Sequence, residues 1–283
     1  MEILHTVAAM HQFADQARQR GQRIGFVPTM GFLHEGHVSL MRLARQHADV
    51  LVVSIFVNPT QFAPGEDFET YPRDFERDRS MVEDVGTDCI YYPDVKEMYP
   101  DGYQTTVSVS DVTQNLCGMS RPTHFDGVST VVSKLFNAVK PHCAVFGQKD
   151  FQQLSVIKRM VRDLNMDVDI IGAPIVREDD GIAMSSRNKN LAPEERVAAG
   201  SLSRALDAVA ASVRAGERSA RVLIQQARDI ISAEQLGRID YIKVCDTETL
   251  LDVERLEREV VMALAVFFEK ARLIDNAVLH VED

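Results

Sequence analysis

At 283 residues, 45% hydrophobic and 26% charged, the chain has the length for one large or two ordinary domains and the balance of a soluble globular protein. A formal charge of −11 argues against broad binding to nucleic acid or to an anionic membrane. An acidic protein that handles an anionic substrate must gather its cations locally.

In chain order, the first apolar run, 24–28, reads as a buried strand and delivers the chain into Pro28–Thr29–Met30–Gly31–Phe32–Leu33–His34–Glu35–Gly36–His37, ahead of an amphipathic helix over 38–48. A glycine-containing turn between strand and helix, with unsatisfied N–H groups at the helix start and the positive dipole end behind them, suits a phosphate. His34 and His37 are three apart, not the HExxH spacing of zinc proteases, and neither a GxGxxG nor a P-loop pattern is present. A second strand over 50–56 ends in Asn58–Pro59–Thr60–Gln61–Phe62; glutamine, a neutral two-sided hydrogen-bonder, suits a small hydroxy-acid better than a phosphate. Tyr71–Pro72–Arg73 and Asp78 follow, the latter on a helix over 75–85 whose charged face reads first as solvated and second as a Mg²⁺ ligand.

A strand over 88–92, the segment Arg121–Pro122–Thr123–His124–Phe125 and a helix over 128–139 lead to a strand over 143–147. It ends in Gly147–Gln148–Lys149–Asp150 and is followed by a helix over 151–164, with Gln153 one turn in, and a strand over 167–172. Alternation of this kind predicts a Rossmann-like, doubly wound parallel sheet, in which strand C-termini open on one crevice, so Lys149 should reach the ligand of His34 and His37.

Past residue 175 the character changes. Met184–Ser185–Ser186–Arg187–Asn188 offers two hydroxyls and a guanidinium fork to phosphate oxygens, with Asn188 read as a turn residue. Helices over 193–215 and 220–234, then extended runs at 239–244, 260–268 and 273–274, predict a smaller α+β domain. The expected division is 1–175 for the Rossmann-like domain and 176–283 for a C-terminal domain acting as a lid. Four scattered cysteines without a CxxC pair, no basic-then-apolar leader and no membrane-length apolar run predict a cytoplasmic protein with free thiols.

Taken in order, PTMGFLHEGH (28–37), VSIFVNPTQF (53–62), YPR (71–73), SRPTHFDGVSTVVSKLFN (120–137), FGQKDFQQL (146–154), MSSRN (184–188) and ARLIDN (271–276) resemble the pantothenate synthetase (pantoate–β-alanine ligase) family of the HxGH nucleotidyltransferase superfamily. The resemblance covers nearly the whole chain. It implies ATP-dependent ligation of pantoate and β-alanine through a pantoyl adenylate, releasing pyrophosphate and AMP, with Mg²⁺ accompanying ATP, in a homodimer. It places ATP against Met30, Gly31, Phe32, Leu33, His34, Glu35, Gly36, His37, Gly147, Gln148, Lys149, Asp150, Val176, Met184, Ser185, Ser186 and Arg187. It implies pantoate at Gln61 and Gln153, β-alanine at Gln61, Mg²⁺ at Asp78, and catalytic roles for His37 as proton donor, His34, Lys149 and Arg187. Two positions depart from the pattern. Gln148 replaces a glutamate and takes no individual role, and Phe32 puts a ring where a smaller residue is usual, near the expected adenosine path. The rival readings are a nucleotidyltransferase acting on a phosphate monoester and a non-catalytic nucleotide sensor.

Overall fold

The computed structural model describes residues 1–63, 65–66 and 68–281. Its first part runs β1 (Glu2–Leu4), α1 (Val7–Gln19), β2 (Ile24–Thr29), α2 (Glu35–His47), β3 (Val50–Ile55), α3 (Phe75–Asp84), β4 (Cys89–Tyr91), α4 (Val95–Met98), α5 (Cys117–Ser120), α6 (His124–Val139), β5 (Cys143–Gly147), α7 (Phe151–Asp163) and β6 (Asp169–Ala173). The strands form one parallel sheet in the order β1-β4-β3-β2-β5-β6. Chain order therefore reverses between β2 and β5, and the C-terminal ends of those two strands flank a crevice.

β2 and β3 are apolar at almost every position because both of their faces are covered. On one face Phe26 and Val52 pack with Met10 and Ala14 of α1, Val132 and Phe136 of α6, and Ile157 of α7. On the other, Val27, Leu51 and Val53 meet Met41 and Ala44 of α2 and Val82 of α3. Gly25 lets α2 approach closely, since a Cβ there would lie 2.8 Å from that of Ala48.

The second part comprises α8 (Pro193–Ala199), α9 (Ser201–Arg214), α10 (Ala220–Ser232) and an antiparallel sheet of β7 (Arg238–Asp246), β8 (Val260–Phe267) and β9 (Arg272–Leu279), ordered β7-β8-β9. β8 serves two cores by alternation: Val260, Met262, Leu264 and Val266 pack with Leu206 and Val209 of α9 and Leu223 of α10, while Val261 and Ala263 face the core of the first part. The fold class is the expected one, an α/β parallel sheet followed by a smaller α+β unit.

Several boundaries differ from the sequence reading. β1 and α1 lie outside its expectations: three residues are too short for a periodic pattern, and α1 buries two alanines beside a single methionine. The helix expected over 193–215 breaks at Gly200, where the hydrogen bonds Gly200 N–Arg196 O and Arg204 N–Gly200 O stretch to 3.4 and 3.3 Å. α6 starts four residues before 128. Its extra turn contains Gly127, packed so tightly on the 59–61 segment that a Cβ would sit 2.5 Å from the Thr60 carbonyl oxygen. β9 runs well beyond the expected 273–274.

Candidate functional site

The turn after β2 is held from below. Thr29 Oγ1 donates to the Ser54 carbonyl at 2.8 Å and accepts from Gly31 N–H at 3.2 Å. Gly31 sits at φ +81°, with no room for a side chain against Asp78 and Ile55. The buried Asp78 carboxylate then accepts from Phe32 N–H at 2.6 Å and from Leu33 N–H at 2.7 Å, one on each oxygen. These amides, expected to face a ligand, are thus satisfied within the protein. At the first turn of α2, Glu35 and Gly36 keep N–H groups without a protein acceptor among the described residues, and Gly36 borders the crevice.

Asp78 departs from its expected place as a metal ligand. Its side chain is 1% exposed, it lies outside the crevice lining, and both oxygens bind backbone amides. Burial is the largest influence on its pKa and raises it; the two amide hydrogen bonds oppose that shift. Among the described residues, no group of three His, Cys, Asp or Glu side chains is arranged to hold a metal.

His34 and His37 pack ring against ring, centroids 4.1 Å apart, and both line the crevice. Gly36 makes room for the His34 ring, which lies 2.9 Å from where a Cβ would stand. His37 Nδ1 accepts from His34 N–H at 3.3 Å, which leaves the proton of the neutral ring on Nε2. Among the described residues, His34 Nδ1 is buried without a partner. Desolvation, then the Lys149 charge, pushes His34 down to about 4; desolvation, then His34 and Lys149, pushes His37 to about 3. Both rings are therefore neutral at pH 7, and neither adds positive charge to the site.

Positive charge comes from Lys149 and Arg187, beside Arg121, which is already paired with Glu66. Lys149, in the 3-10 turn Gln148–Asp150 that leaves β5, lies 3.9 Å from Asp150 across an ion pair, and both residues line the crevice. Arg187 comes from a separate segment, in a turn capped by Ser185, whose Oγ accepts from Arg187 N–H at 3.3 Å. Met184 N–H donates to the Val176 carbonyl at 2.9 Å, and Val176, Met184, Ser185, Ser186 and Gly147 complete this part of the lining. Asn188 is buried and structural, donating to Glu178 and to the Ala183 carbonyl.

Deeper in, the crevice has an apolar floor of Phe56, Val128, Val131, Val132, Leu135 and Phe146, and two glutamines reach it. Gln61 is aimed by its neighbours: its oxygen accepts from Asn58 Nδ2 at 3.2 Å and its nitrogen contacts Met30 Sδ at 3.0 Å. Asn58 is in turn held by the Tyr99 hydroxyl at 2.8 Å and by donation to the Gly127 carbonyl at 3.1 Å. Of the adjacent glutamines in α7, Gln153 faces the crevice, while Gln152 is consumed by the Val112 and Asn115 carbonyls and the Cys117 amide. The crevice encloses about 250 Å³ and continues into a second cavity of about 470 Å³ that shares Lys149, Asp150, Gln153, Ser185 and Arg187.

Met30, His34, Gly36, His37, Gln61, Gly147, Lys149, Asp150, Gln153, Val176 and Met184–Arg187 are thus brought together. Gly31, Phe32, Leu33, Glu35 and Gln148 are not among the lining residues. Leu33 is core, and Glu35 pairs with Arg42 on the surface. The Phe32 ring lies away from the crevice under the cations of Lys189 at 3.8 Å and Arg77 at 5.0 Å, so it does not crowd the lining. Arg121 and His124, to which the sequence assigns no role, both line the crevice and bind the Gln61 carbonyl, at 3.2 and 2.8 Å. Arg177 escapes sequence reasoning because its effect lies in what it holds, and Asn276, though inside the ARLIDN stretch, has no role assigned from the sequence; it lines the second cavity and not the crevice itself.

The pantoate–β-alanine ligase family model matches residues 2–278. The chain is similar to curated pantothenate synthetases from Syntrophus aciditrophicus, 55% identical over 100% of this chain and 99% of that one, and Moorella thermoacetica, 56% identical over 100% of both. In structure it resembles the pantothenate synthetase of Thermus thermophilus, with a TM-score of 0.94, 43% identity and full coverage of both chains. It also resembles the Francisella tularensis pantoate–β-alanine ligase complexed with β-γ ATP and β-alanine, with a TM-score of 0.81, 34% identity and 98% and 97% coverage.

Proposed function

The chain belongs to the pantoate–β-alanine ligase family and is an ATP-dependent ligase of pantoate and β-alanine, and from that premise we propose that it works in two steps around the crevice between β2 and β5. In the first, a pantoate carboxylate oxygen attacks the α-phosphorus of ATP, the new P–O bond forms as the bond to pyrophosphate breaks, and pantoyl adenylate results. In the second, the β-alanine amine attacks the acyl carbon, the bond to AMP breaks, and the nitrogen gives up a proton as pantothenate forms.

One observation carries this reading: paired imidazoles following β2, a lysine following β5 and an arginine from the turn after Ser185 border a single crevice. Bringing a carboxylate to a polyphosphate opposes like charges, and fixed donors in a water-poor crevice lower that cost without a covalent nucleophile. Lys149 and Arg187 supply the charge, and the amides of Glu35 and Gly36 add the dipole end of α2. His37 Nε2–H and the buried His34 turn toward the phosphates. A bound triphosphate opposes the desolvation that keeps both rings neutral, so the pair gains affinity for protons as nucleotide binds and His37 can then serve as the proton donor. Gln61 and Gln153 hold the hydroxyl and carboxylate of pantoate, with Gln61 also beside β-alanine, and the apolar floor takes the dimethyl group.

Among the described residues no group of three His, Cys, Asp or Glu side chains is arranged to hold a metal, and Mg²⁺ is assigned as the counter-ion that ATP brings, with no step run through it. Residues 176–283 act as the unit that closes over 1–175, in a cytoplasmic homodimer; among the described residues no helix is long and apolar enough to cross a membrane. The test is pyrophosphate release from ATP with pantoate alone, followed by AMP formation on adding β-alanine. Release without pantoate, or a stable nucleotide product from a phosphate monoester, would defeat the proposal.

A further inference from the structure

β9 carries two adjacent buried polar residues, Asp275 and Asn276, in the midst of an otherwise largely apolar strand. Burying an amide and a carboxylate is costly unless both are paired. Both are, and with the segments that bear Lys149 and Arg187, two of the cations of the crevice. Asn276 Nδ2 donates to the Gln148 carbonyl at 3.0 Å and to the Lys149 carbonyl at 2.9 Å. Asp275 takes the Arg177 guanidinium on both oxygens, at 2.7 and 3.1 Å, and its Oδ1 also accepts Asn276 N–H at 2.8 Å. Arg177 bridges to Ala183 across the hairpin that leads directly into Met184–Arg187, and it donates to the Gly181 carbonyl within that hairpin at 3.1 Å.

We propose that Asn276 is a positioning residue for Lys149, that the Asp275–Arg177 pair plays the same part for the turn bearing Arg187, and that β9 thereby sets the distance between the two cations. This rests on reading the crevice as the ATP site. A 3-10 turn has few internal hydrogen bonds to fix its own orientation, and Gln148–Asp150 is only three residues long. The two bonds from Asn276 fix the peptide planes on either side of the Lys149 Cα, and with them the direction in which its side chain leaves. Misplacement of such a group by about 1 Å can cost about a hundredfold in rate.

A double-mutant cycle of Asn276→Ala and Lys149→Ala tests this, read both on equilibrium ATP binding and on pantoate-dependent pyrophosphate release. Lys149→Ala alone is expected to lower kcat/KM for ATP about a hundredfold, as for loss of a charge-stabilising donor. Asn276→Ala alone is expected to lower it about tenfold, and the double variant should be no worse than Lys149→Ala, because Asn276 acts through the lysine. A residue that merely joins two layers would give multiplied losses of about a thousandfold, and that result overturns the proposal. Asn276→Asp, equal in size, sets a carboxylate against the two carbonyl oxygens and should lower kcat/KM at least as far as Asn276→Ala. Asn276→Ser, which keeps a donor, gives a milder arm should the alanine variant fail to fold, and additivity there is equally fatal. The KM for β-alanine should not move in any Asn276 variant. Absence of pantoate-dependent turnover in the unmodified enzyme would remove the proposed reaction, whereas the ATP-binding cycle would still decide for or against the role of Asn276.

Discussion

Acidification should unfold this protein through its neutral histidines, and the magnitude follows from the site. In the folded chain His34 titrates at about 4 and His37 at about 3, against about 6.5 in an unfolded chain. As pH falls through 6.5 the unfolded chain takes up protons that the folded one refuses, so stability present at neutral pH is lost progressively down to the folded-state values. Between pH 7 and pH 5 the loss is about 2 kcal/mol for each ring, or about 4 kcal/mol for the pair. Urea unfolding at the two pH values measures the total, which includes carboxylates and His124, itself held at about 4 mainly by burial and then by Arg121. Comparison with His34→Gln isolates one share: that variant should lose about 2 kcal/mol less than the parent on going from pH 7 to 5. Equal losses in the two proteins would refute the claim that the imidazoles are held neutral. Saturating ATP should shrink the acid loss in the parent more than in the variant, because the triphosphate favours the protonated rings.

Asp78→Asn should weaken the turn after β2 by about 1.5–3 kcal/mol, since one of two charge-assisted amide bonds is lost. It should raise the KM for ATP while leaving the Mg²⁺ concentration for half-maximal rate unchanged; a large shift in that concentration would restore Asp78 as a metal ligand. His37→Ala should cost about a hundredfold in pyrophosphate release, and near-native turnover would show the phosphates to lie elsewhere. Gln153→Ala should raise the KM for pantoate with little change for ATP, and the reverse pattern would contradict its placement. Gly127→Ala should destabilise the chain by about 1–3 kcal/mol by forcing α6 away from the Thr60 carbonyl; unchanged stability and pantoate KM would mean that this close approach does not aim Gln61.

The parallel sheet is legible because its strands are continuous apolar runs ended by turn residues, and a doubly wound sheet gathers strand ends on one side. His34, His37, Lys149 and the glutamines are therefore placeable from their position after a strand. What escapes is indirect. Asp78 looks like part of a solvated helix face because the helical pattern cannot show that its carboxylate points under a turn 45 residues away in sequence. β9 seems to stop at 274 because Asp275 and Asn276 break the apolar alternation, yet those two residues are polar for the sake of their partners in another segment. The charge of the imidazoles is hidden for a similar reason, since desolvation depends on what covers a ring and not on its neighbours in the chain.

The two-sided middle strand of the small sheet limits how the enzyme can move. Val261 and Ala263 are embedded in the core beneath the parallel sheet while their alternate neighbours belong to the helices above. A clamshell opening would expose the first pair, together with Cys245 and Leu250, to water. Rearrangement around substrate must therefore take the form of shear, with layers sliding a short way past each other while staying dry.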